Sequence, residues 1–577
     1  MKWILRINTK SGNIEKVEIR GEQEYWGGRL LIAKILLEEV SPNCDPLGRY
    51  NKVIFAPGLL SPSIVPTTGR FSIGGKSPLT GGCKECNVGG DAGKKISKLG
   101  LRAIILEDLP NDPDLKVLFI SSKKCTLIPF NGLKGKTVSE TIEELRKEFG
   151  NEVGIACIGP AGEMKMSAAC VAVPDRNNSQ LRVAARGGLG AVMGSKGIKA
   201  IVVDDSDSEY SFEPFDEKLL RETNRRFVQL LMSDPKTENR HRYGTPAIIM
   251  MANELGLLPT RNFSTGSFEG VDKISGEYIS DLIEKRGGEG KTGTPCTAGC
   301  TIACSNVFPD STGKKIVASL QYENIVLLGP NCGIGDIDEI AKLNHLCNEA
   351  GVDTIEVGAA IGVLMEAGVI PFGDAKRAKE IVEEIGKGTH LGRIVGNGAY
   401  VTGKVFGVRR VPVVKKQAIP GYDPRALKGN GVTYITSPMG ADHTAGNVFE
   451  FARTVDPLGH EGQAEISRRL QIRAAILDTM GLCLFTRPPF AKEPELFAHF
   501  LKALYGWDVT YGDVQRMGIE VLESERRFNS LAGVVEDYYD IPEFMREEPL
   551  PPRNTVFDIQ LDEVKRVWRV DVPSTIF

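Results

Sequence analysis

Four cysteines in two distant parts of the chain constrain its fold more than any other feature. Cys296, Cys300 and Cys304 lie in TPCTAGCTIACSN, and Cys483 lies far downstream in LDTMGLCLF. A cubane iron–sulfur cluster is held by four cysteine thiolates. The spacing therefore predicts one cluster bound by the local trio, with a remote segment folding back to supply the fourth thiolate.

Inert thiols, zinc, a radical S-adenosylmethionine site and disulfides all fit these cysteines less well. The chain has 12 cysteines, and free cysteines are often buried and inert. Structural zinc usually pairs two CxxC knuckles, whereas the other CxxC here, Cys83 and Cys86, lies far upstream. A radical S-adenosylmethionine site needs Cx3Cx2C, but both gaps here have three residues. The N-terminus MKWILRINTKSG predicts a strand and turn rather than a signal peptide, so we expect no disulfides.

Composition narrows the class of protein further. A length of 577 residues allows three or so domains, and a net charge of −3 gives no sign of a nucleic-acid partner. No apolar run reaches membrane-spanning length, so we expect no membrane association. The 64 glycines exceed the typical share of roughly 7%. Because glycine lets the backbone approach a ligand closely, this surplus indicates a large bound cofactor.

The hydrophobic pattern predicts an α+β fold with three domains. Residues 1–208 contain short β-branched runs bounded by turns, which predict a β-rich N-terminal domain that binds the cofactor. Residues 209–410 show apolar residues at helical spacing and contain the cysteine trio and a Tyr-Glu motif. Residues 411–577 form a second mainly helical domain, which contains a histidine loop and the fourth cysteine. We see no internal repeat in the sequence.

Two glycine-rich segments are suited to bind anionic groups. The first begins at Thr67 and contains Arg70, whose planar guanidinium suits phosphate. In the second, Arg182 and Arg186 precede glycines that open an apparent helix, and a helix N-terminus next to arginine favours anions. Neither segment matches the P-loop or a full GxGxxG, so we expect neither ATP nor NAD in a standard cradle.

Two further residues have the chemistry of acid–base catalysts. Glu323 follows Tyr322 and borders an apolar run, where a carboxyl group acquires a raised pKa. His443 stands beside Asp442 in a loop rich in Gly, Ser and Thr. The alternatives remain open at this point: a solvated glutamate at a helix start and a structural loop histidine.

Taken in order, these segments resemble the tungsten-dependent aldehyde:ferredoxin oxidoreductase family over nearly the whole chain. The resemblance is carried by GRFSIGGKSPLTGG, AARGGLGAVMGSKGIKAIVV, LPTRNF, the cysteine trio, YENIVLLGPNCGIGD, GVDTI, SPMGADHT and DTMGLCLF. It implies a tungsten bis-pterin (tungstopterin) with Mg²⁺ bridging the pterin phosphates, and one [4Fe–4S] cluster. Molybdenum is the chemical alternative to tungsten.

The resemblance also assigns site residues. The metal ligands are the cluster cysteines 296, 300, 304 and 483, and the residues that handle the substrate are Glu323, His443 and Tyr322. The cofactor-binding positions are Arg70, Asn87, Gly89, Arg182, Val183, Ala185, Arg186, Asn348, Val352, Asp353, Asp478, Leu482 and Leu484.

This chain departs from the family pattern at several positions. Met439 and Ala445 replace basic residues that contact the pterin, and Asn348 replaces an acid. A glutamate that binds a metal at the dimer interface has no counterpart near His345, which leaves a homo- or hetero-oligomer open. The CxxC of residues 83–86 is either a redox pair or, as we expect, packing near the pterin.

The resemblance implies oxidation of a small aldehyde to the carboxylic acid. His443 would polarise the carbonyl and Glu323 would accept a proton. Electrons would leave through the [4Fe–4S] cluster to ferredoxin or to a polyferredoxin-like iron–sulfur subunit. The alternatives are a family paralogue that reduces an aromatic acyl-CoA, and an electron-transfer subunit that holds only the cluster.

Overall fold

A computed structural model describes residues 1–175, 180–535, 539–572 and 576–577 of the chain. Its N-terminal part contains two mixed β-sheets of six strands each. The strands of the first sheet are β1 Trp3–Asn8, β2 Ile14–Glu18, β3 Val53–Pro57, β4 Phe71–Lys76, β5 Cys83–Val88 and β6 Leu101–Glu107. Those of the second are β7 Lys116–Ile120, β8 Cys125–Pro129, β9 Gly154–Cys157, β10 Val171–Pro174, β11 Leu181–Ala184 and β12 Ile198–Val203. The helices between them are α1 Gly28–Glu39, α2 Ala92–Lys98, α3 Val138–Phe149, α4 Pro160–Glu163 and α5 Leu189–Ser195.

The two sheets have the same topology. Their strand orders are β2-β1-β6-β3-β4-β5 and β8-β7-β12-β9-β10-β11. In each sheet the first strand pairs antiparallel with the second and parallel with the sixth. The expectation that the chain has no internal repeat was therefore wrong. The repeat lies in the order and direction of the strands, and such topology leaves no shared motif in the sequence.

Apolar side chains from both sheets form one core. Phe55, Phe71 and Ile104 of the first sheet cluster with Val171 and Ile201 of the second, and all five are at most 1% exposed. Strands β3, β6 and β12 read as nearly continuous apolar runs, as expected for strands buried on both faces. The shared core holds the two sheets, and the loops at their ends, in a fixed relation.

The rest of the described chain is mainly helical. Its α-helices include α6 Glu217–Met232, α7 Pro235–Tyr243, α8 Ile249–Glu254, α9 Gly276–Arg286, α10 Tyr322–Leu328, α11 Ile337–Ala350, α12 Thr354–Glu366, α13 Ala375–Lys387, α14 His390–Gly396 and α15 Ala399–Phe406. They continue with α16 Lys428–Thr436, α17 Gln463–Met480, α18 Arg487–Lys492, α19 Leu496–Tyr505, α20 Tyr511–Leu531, α21 Glu543–Glu547 and α22 Leu561–Lys565. The short strands β13 Lys291–Thr294, β14 Ser305–Pro309, β15 Lys315–Val317, β16 Val413–Val414 and β17 Gln417–Ala418 lie among them.

Buried helices of this helical part pack against the first sheet. Helix α12 (TIEVGAAIGVLME) is apolar on all sides and almost fully buried, and α17 is buried along nearly its whole length. Helices α1, α17 and α20 pack together and reach β4 and β5 of the first sheet. No helix among the described residues is both long and apolar enough to cross a membrane. The predicted α+β class, with a β-rich base followed by helices, is confirmed; the domain limits 1–208, 209–410 and 411–577 stay predictions.

Candidate functional site

The two glycine-rich segments occupy equivalent places in the repeat. Asn87 and Gly89 lie at the end of β5, and Val183 and Ala185 lie at the end of β11. The strands β5 and β11 are the edge strands of their sheets and contact each other. Both segments therefore face the same region, into which the helical part also projects its loops.

Arg70 connects the first segment to the cysteine trio. Its Nε donates to Asn87 Oδ1 and its Nη2 to the Asn87 carbonyl at 2.6 Å, while Nη1 lies 3.9 Å from Cys296 Sγ. The amide of Gly90 donates to the Cys296 carbonyl at 2.9 Å. Burial would lower the pKa of Arg70, but Cys483 and Cys296 raise it above its ordinary value. Arg70 and the Gly90 amide thus attach the first glycine-rich segment to the cysteine loop.

The structure brings the four predicted cluster cysteines together. A hydrogen bond from Cys300, aided by Arg182 and Arg70, holds the pKa of the Cys296 thiol well below its ordinary value. Electrostatic interactions also link Cys483 and Cys304 to Cys296. Within the described part of the chain, no group of three or more His, Cys, Asp or Glu side chains is arranged to hold a single metal ion. A cubane places less demand on proximity, because each of its four thiolates binds a different iron.

The second segment reaches into the helical part. Arg182 donates from Nη1 to Ser319 Oγ at 3.1 Å and from Nη2 to Ser305 Oγ. Arg186 is 5% exposed; its Nε lies 3.3 Å from Asp353 Oδ2. Burial would lower the pKa of Arg186, but the carboxylates of Asp353 and its other neighbours raise it.

The remaining donors of Arg186 are bound by main-chain oxygens. Its Nη1 donates to the Ala441 carbonyl, and its Nη2 donates to the Ala418 carbonyl at 2.5 Å. The carboxylate of Glu356 lies 3.9 Å from Nη2. Arg186 therefore joins the second sheet to α12 and to the loop that carries His443.

Glu323 and His443 lie side by side, although 120 residues separate them by number in the chain. Glu323 Oε1 is 3.5 Å from His443 Nδ1, and their side chains are 12% and 20% exposed. Glu323 Oε2 accepts the Gly421 amide at 2.8 Å. Burial raises the pKa of Glu323 above its usual 4.5, against the opposing effect of His443. The solvated-glutamate alternative is therefore wrong.

Aromatic rings surround this pair. Tyr322 donates its hydroxyl proton to the Gly421 carbonyl at 2.6 Å, so it is engaged with the main chain. The ring of Tyr422 lies 4.9 Å from that of Tyr322, 5.9 Å from that of His443 and 5.7 Å from that of Phe449. Tyr422 and Phe449 were not predicted as site residues. The sequence signal for Tyr422 was its place in GYDP, which leads towards the histidine loop.

The other predicted cofactor positions divide between two places. Asp353 caps α12, and Val352 is buried in the turn that precedes it. Asp478 lies near the end of α17, 3.3 Å from Arg29, and burial raises its pKa to about 6. Leu482 and Leu484 flank the fourth cysteine, and Leu482 is fully buried. Asn348 is half-buried in the last turn of α11.

Sequence analysis missed two buried ion pairs beside the site. Lys84 Nζ lies 2.5 Å from Asp442 Oδ2, with side chains 0% and 3% exposed. Arg29 forms a two-point pair with Glu525 at 2.8 Å while also contacting Asp478. The available signal was a single cationic residue within each of two short stretches, GGCKECNV and GGRLLIA. Buried charges without a partner are rare, so each such residue indicates a distant carboxylate.

The arrangement fits the anionic, polar cofactor that the glycine surplus predicts. Several buried polar atoms of the predicted site residues have no hydrogen-bond partner in the described structure: Asn87 Nδ2, Arg182 Nε, Glu323 Oε1 and His443 Nδ1. Such atoms are costly unless a ligand or water satisfies them. A Cβ on Gly89 would approach the Cys296 carbonyl to 2.9 Å and Arg70 Nη1 to 3.4 Å, so only glycine fits there comfortably.

Comparison with known proteins identifies the family. A model described as the N-terminal domain of aldehyde ferredoxin oxidoreductase matches residues 4–205, and one described as domains 2 & 3 matches residues 222–568. The chain belongs to the aldehyde ferredoxin oxidoreductase family. The predicted resemblance and the predicted enzyme class, an oxidoreductase, are confirmed.

Several relatives cover almost the full chain. The tungsten-containing aldehyde ferredoxin oxidoreductase of Pyrococcus abyssi is 34% identical over 95% of this chain and 92% of its own length. The protein of the same name from Pyrococcus furiosus is 33% identical over 95% and 91%. The aliphatic sulfonate oxidoreductase, WOR-like subunit, of Pyrococcus furiosus is 24% identical over 95% and 88%.

A solved structure shares the fold. The active site complex BamBC of benzoyl coenzyme A reductase, in complex with 1,5-dienoyl-CoA, has a TM-score of 0.81 and 18% identity. The match covers 98% of this chain and 93% of that chain. The likeness shows that the two chains share one fold over nearly their whole length.

Proposed function

We propose that this protein oxidises an aldehyde to the carboxylic acid. The observation that carries the proposal is the buried pair of Glu323 Oε1 and His443 Nδ1, 3.5 Å apart and otherwise without hydrogen-bond partners in the described protein. A proton acceptor and a hydrogen-bond donor that meet in a buried, aromatic-walled site suit hydration and deprotonation at a carbonyl carbon. The relatives named for aldehyde oxidation support this choice of substrate.

Each member of the pair has a distinct task. Because the Gly421 amide fixes Glu323 Oε2 at 2.8 Å, Oε1 remains free to take a proton from water or from the substrate. His443 donates a hydrogen bond to the aldehyde oxygen as negative charge develops there. Tyr322 is a positioning residue, since its hydroxyl holds Gly421, whose amide in turn orients Glu323.

The cofactors belong to the proposal as well. A tungsten bis-pterin would accept the two electrons of the oxidation, and a [4Fe–4S] cluster would pass them on one at a time. Asn87 Nδ2 and Arg182 Nε, both unpartnered, would bind polar atoms of the pterins, and Mg²⁺ would bridge the pterin phosphates. Cys296, Cys300 and Cys304 would hold the cluster with the fourth thiolate from residue 483.

We also propose the electron acceptor. Ferredoxin or a polyferredoxin-like iron–sulfur subunit would dock where the cluster cysteines approach the surface. Cys300, Cys304 and Cys483 are only partly buried, and Ala298 and Gly299, just before Cys300, are exposed. A one-electron carrier must approach the cluster closely, and this loop offers the shortest path from solvent.

The test is the variant Glu323→Gln, with Glu277→Gln as its matched control. Both glutamates lie in the first turn of a helix, but Glu277 is exposed on α9. We expect aldehyde oxidation, followed with a viologen acceptor under anaerobic conditions, to fall by about 10²- to 10⁴-fold in the first variant only. Tungsten and iron contents should match the wild type in both.

Three results would exclude the proposal. Normal turnover by Glu323→Gln would remove the assigned proton acceptor. A wild-type protein that binds tungsten but reduces an aromatic acyl-CoA and leaves aldehydes unchanged would belong with the ring-reducing paralogues. Iron without tungsten, molybdenum or pterin would instead define an electron-transfer subunit.

A further inference from the structure

The loop that carries His443 is tied down at almost every residue. Lys415 Nζ donates to the Ser437 carbonyl at 2.7 Å, and Asn529 Nδ2 donates to the Pro438 carbonyl at 2.6 Å. Gln417 Nε2 donates to the Ala441 carbonyl at 2.8 Å. These contacts hold the backbone before the histidine, but they leave its immediate flanks to one residue, Asp442.

Asp442 uses its whole carboxylate for this purpose. Its Oδ1 accepts the amide and the hydroxyl of Thr444 at 2.9 and 2.8 Å, which closes a tight turn around His443. Its Oδ2 pairs with Lys84 Nζ at 2.5 Å. The residues on either side of the histidine are thereby fixed to a lysine on β5, 358 residues away in the chain.

The side chain of Lys84 passes beside a glycine of the second glycine-rich segment. It lies on β5 of the first sheet with a fully buried side chain. A Cβ on Gly187 would come within 2.5 Å of Lys84 Cγ and 2.9 Å of its Cδ, so the lysine stem crosses this glycine. Gly187 also has φ +78°, which other residues rarely adopt. The ion pair is therefore built into the junction of the two sheets.

We propose that the Lys84–Asp442 ion pair is the positioning device of the substrate site: it fixes the turn that carries His443 and balances the charge beside its imidazole. Both residues act through His443, so they are positioning residues. The inference rests on the proposed function for its catalytic consequence, but the state of His443 is measurable without turnover.

The charges around His443 define what each change would do. Glu323 faces it from α10, Asp442 adjoins it, Lys84 approaches from β5 and Arg186 from the segment after β11. Lys84 and Asp442 together contribute no net charge. Removing Lys84 alone leaves Asp442 to stabilise the imidazolium, whereas neutralising Asp442 alone leaves Lys84 to oppose it.

The test measures the chemical reactivity of His443 in purified protein. Diethyl pyrocarbonate modifies neutral imidazole, and mass spectrometry of the peptide that contains residue 443 gives its rate of modification at each pH. Because the imidazolium does not react, we expect Lys84→Met to slow modification of His443 near neutral pH and Asp442→Asn to speed it, each by up to about tenfold relative to the wild type. The double variant K84M/D442N should return close to the wild-type value.

Activity gives a second measurement on the same proteins. The acid limb of the pH profile of kcat/KM should move in the same directions, while Lys84→Arg retains the wild-type profile. If both single variants lose activity without any shift of the modification profile, or shift it in the same direction, the inference is wrong. If Lys84→Met does not fold, Asp442→Asn and the double variant still decide the question.

Failure of the proposed function would look different. A wild-type protein inactive towards aldehydes, whose His443 still shows opposite shifts in the two variants, would keep the ion pair as the positioning device and refute the substrate. His390, which begins α14 away from this pair, provides the internal control, because its modification profile should be unchanged in every variant.

Discussion

The two sheets of the N-terminal part share a topology but serve opposite sides of the site. The segment after β5 in the first sheet packs on the cysteine loop through Gly90, and Arg70, just before β4, contacts the same loop. The equivalent segment after β11 in the second sheet packs on α12 and on the histidine loop, through Arg186. Through these two segments, one copy meets the residues that would conduct electrons and the other meets those that would handle the substrate. Two strand residues cross between them: Lys84 on β5 reaches the histidine loop, and Arg182 on β11 acts on Cys296.

This difference shows how a repeated scaffold acquires two tasks. Strand order, pairing and the glycine-rich exit loop are the same in both copies. What differs is the segment that contacts each loop: the cysteine loop contacts the first, whereas α12 and the loop around Ala441 contact the second. The two copies supply equivalent glycine-rich loops, and the different segments that these loops contact give each copy its own task.

The largest effect should come from removing Cys296, in the cysteine loop that contacts the first sheet. Cys296→Ala removes one thiolate of four, and we expect iron content to fall and reduction of a one-electron acceptor to cease. The pair of Glu323 and His443 should remain, because none of its contacts involves the cysteine loop. Iron analysis and diethyl pyrocarbonate modification of His443 measure the two sides separately. Cys332→Ala, a buried cysteine on the helical side, is the control.

A loss of the His443 profile in Cys296→Ala would contradict the separation of the two sides. Full iron content in that variant would instead show that Cys296 is not a ligand.

Removing Arg186, which joins the second sheet to α12 and to the histidine loop, should have the next largest effect. Arg186→Met leaves Asp353 and Glu356 buried without their cation, which typically costs about 3–5 kcal/mol. We expect a lower unfolding midpoint in urea and reduced aldehyde turnover, with iron content unchanged. Arg70→Met is the matched comparison from the first side, and it should alter the reduction potential of the cluster instead. If both variants changed the reduction potential equally, the assignment of the two arginines to different sides of the site would be wrong.

The protonation of Glu356 on α12 gives a further test of the contact between the second sheet and the helical part. Burial raises the pKa of Glu356 to about 7, despite the attraction of Arg186. Between about pH 4.5 and pH 7 the folded carboxyl keeps a proton that the unfolded chain has lost, so the free energy of unfolding falls as pH rises. A raised pKa of this size corresponds to about 3 kcal/mol across the window.

The measurement is the urea midpoint at pH 5 and pH 7.5. Glu356→Gln, which never ionises, should lose part of the decline that the wild type shows. Glu277→Gln, exposed on α9, should decline as the wild type does. Identical pH dependence in all three proteins would mean that Glu356 is ionised throughout.

Local patterns in the sequence predicted part of this molecule. The apolar, β-branched runs before residue 208 predicted the β-rich base, and the helical spacing after it predicted the helices. The cysteine spacing predicted that residue 483 would approach the trio, and the structure places them in electrostatic contact. These features depend on short-range periodicity or on a chemically distinctive residue type, both of which are visible in one sequence.

Long-range relations were out of reach of such patterns. The pairing of Lys84 with Asp442 joins residues 358 positions apart, and nothing local distinguishes that aspartate from other loop aspartates. The repeat was missed because β3 and β9 share position and direction but no motif. The raised pKa of Glu356 arises from burial on all sides of α12, a property of packing rather than of its neighbours in sequence.

The smallest expected effect concerns Cys83 and Cys86, which lie on β5 where the two sides meet. Residues three apart on a strand point to opposite faces. Cys83 Sγ accordingly lies 3.7 Å from the Glu525 carbonyl on α20, and Cys86 Sγ lies 3.3 Å from the Arg186 carbonyl in the second cradle. A disulfide needs the two Cβ atoms close together and aimed at each other, so this CxxC is not a redox pair.

Burial also keeps both thiols unreactive, since it raises the pKa of Cys86 to about 12 and that of Cys83 well above its ordinary value. We expect mild oxidants to leave both thiols free in peptide mass spectra, and Cys83→Ala and Cys86→Ala to change the free energy of unfolding by about 1 kcal/mol each. Aldehyde turnover should persist in both. A disulfide between them in the folded protein would mean that β5 departs from regular strand geometry, and it would join the two faces that the comparison keeps apart.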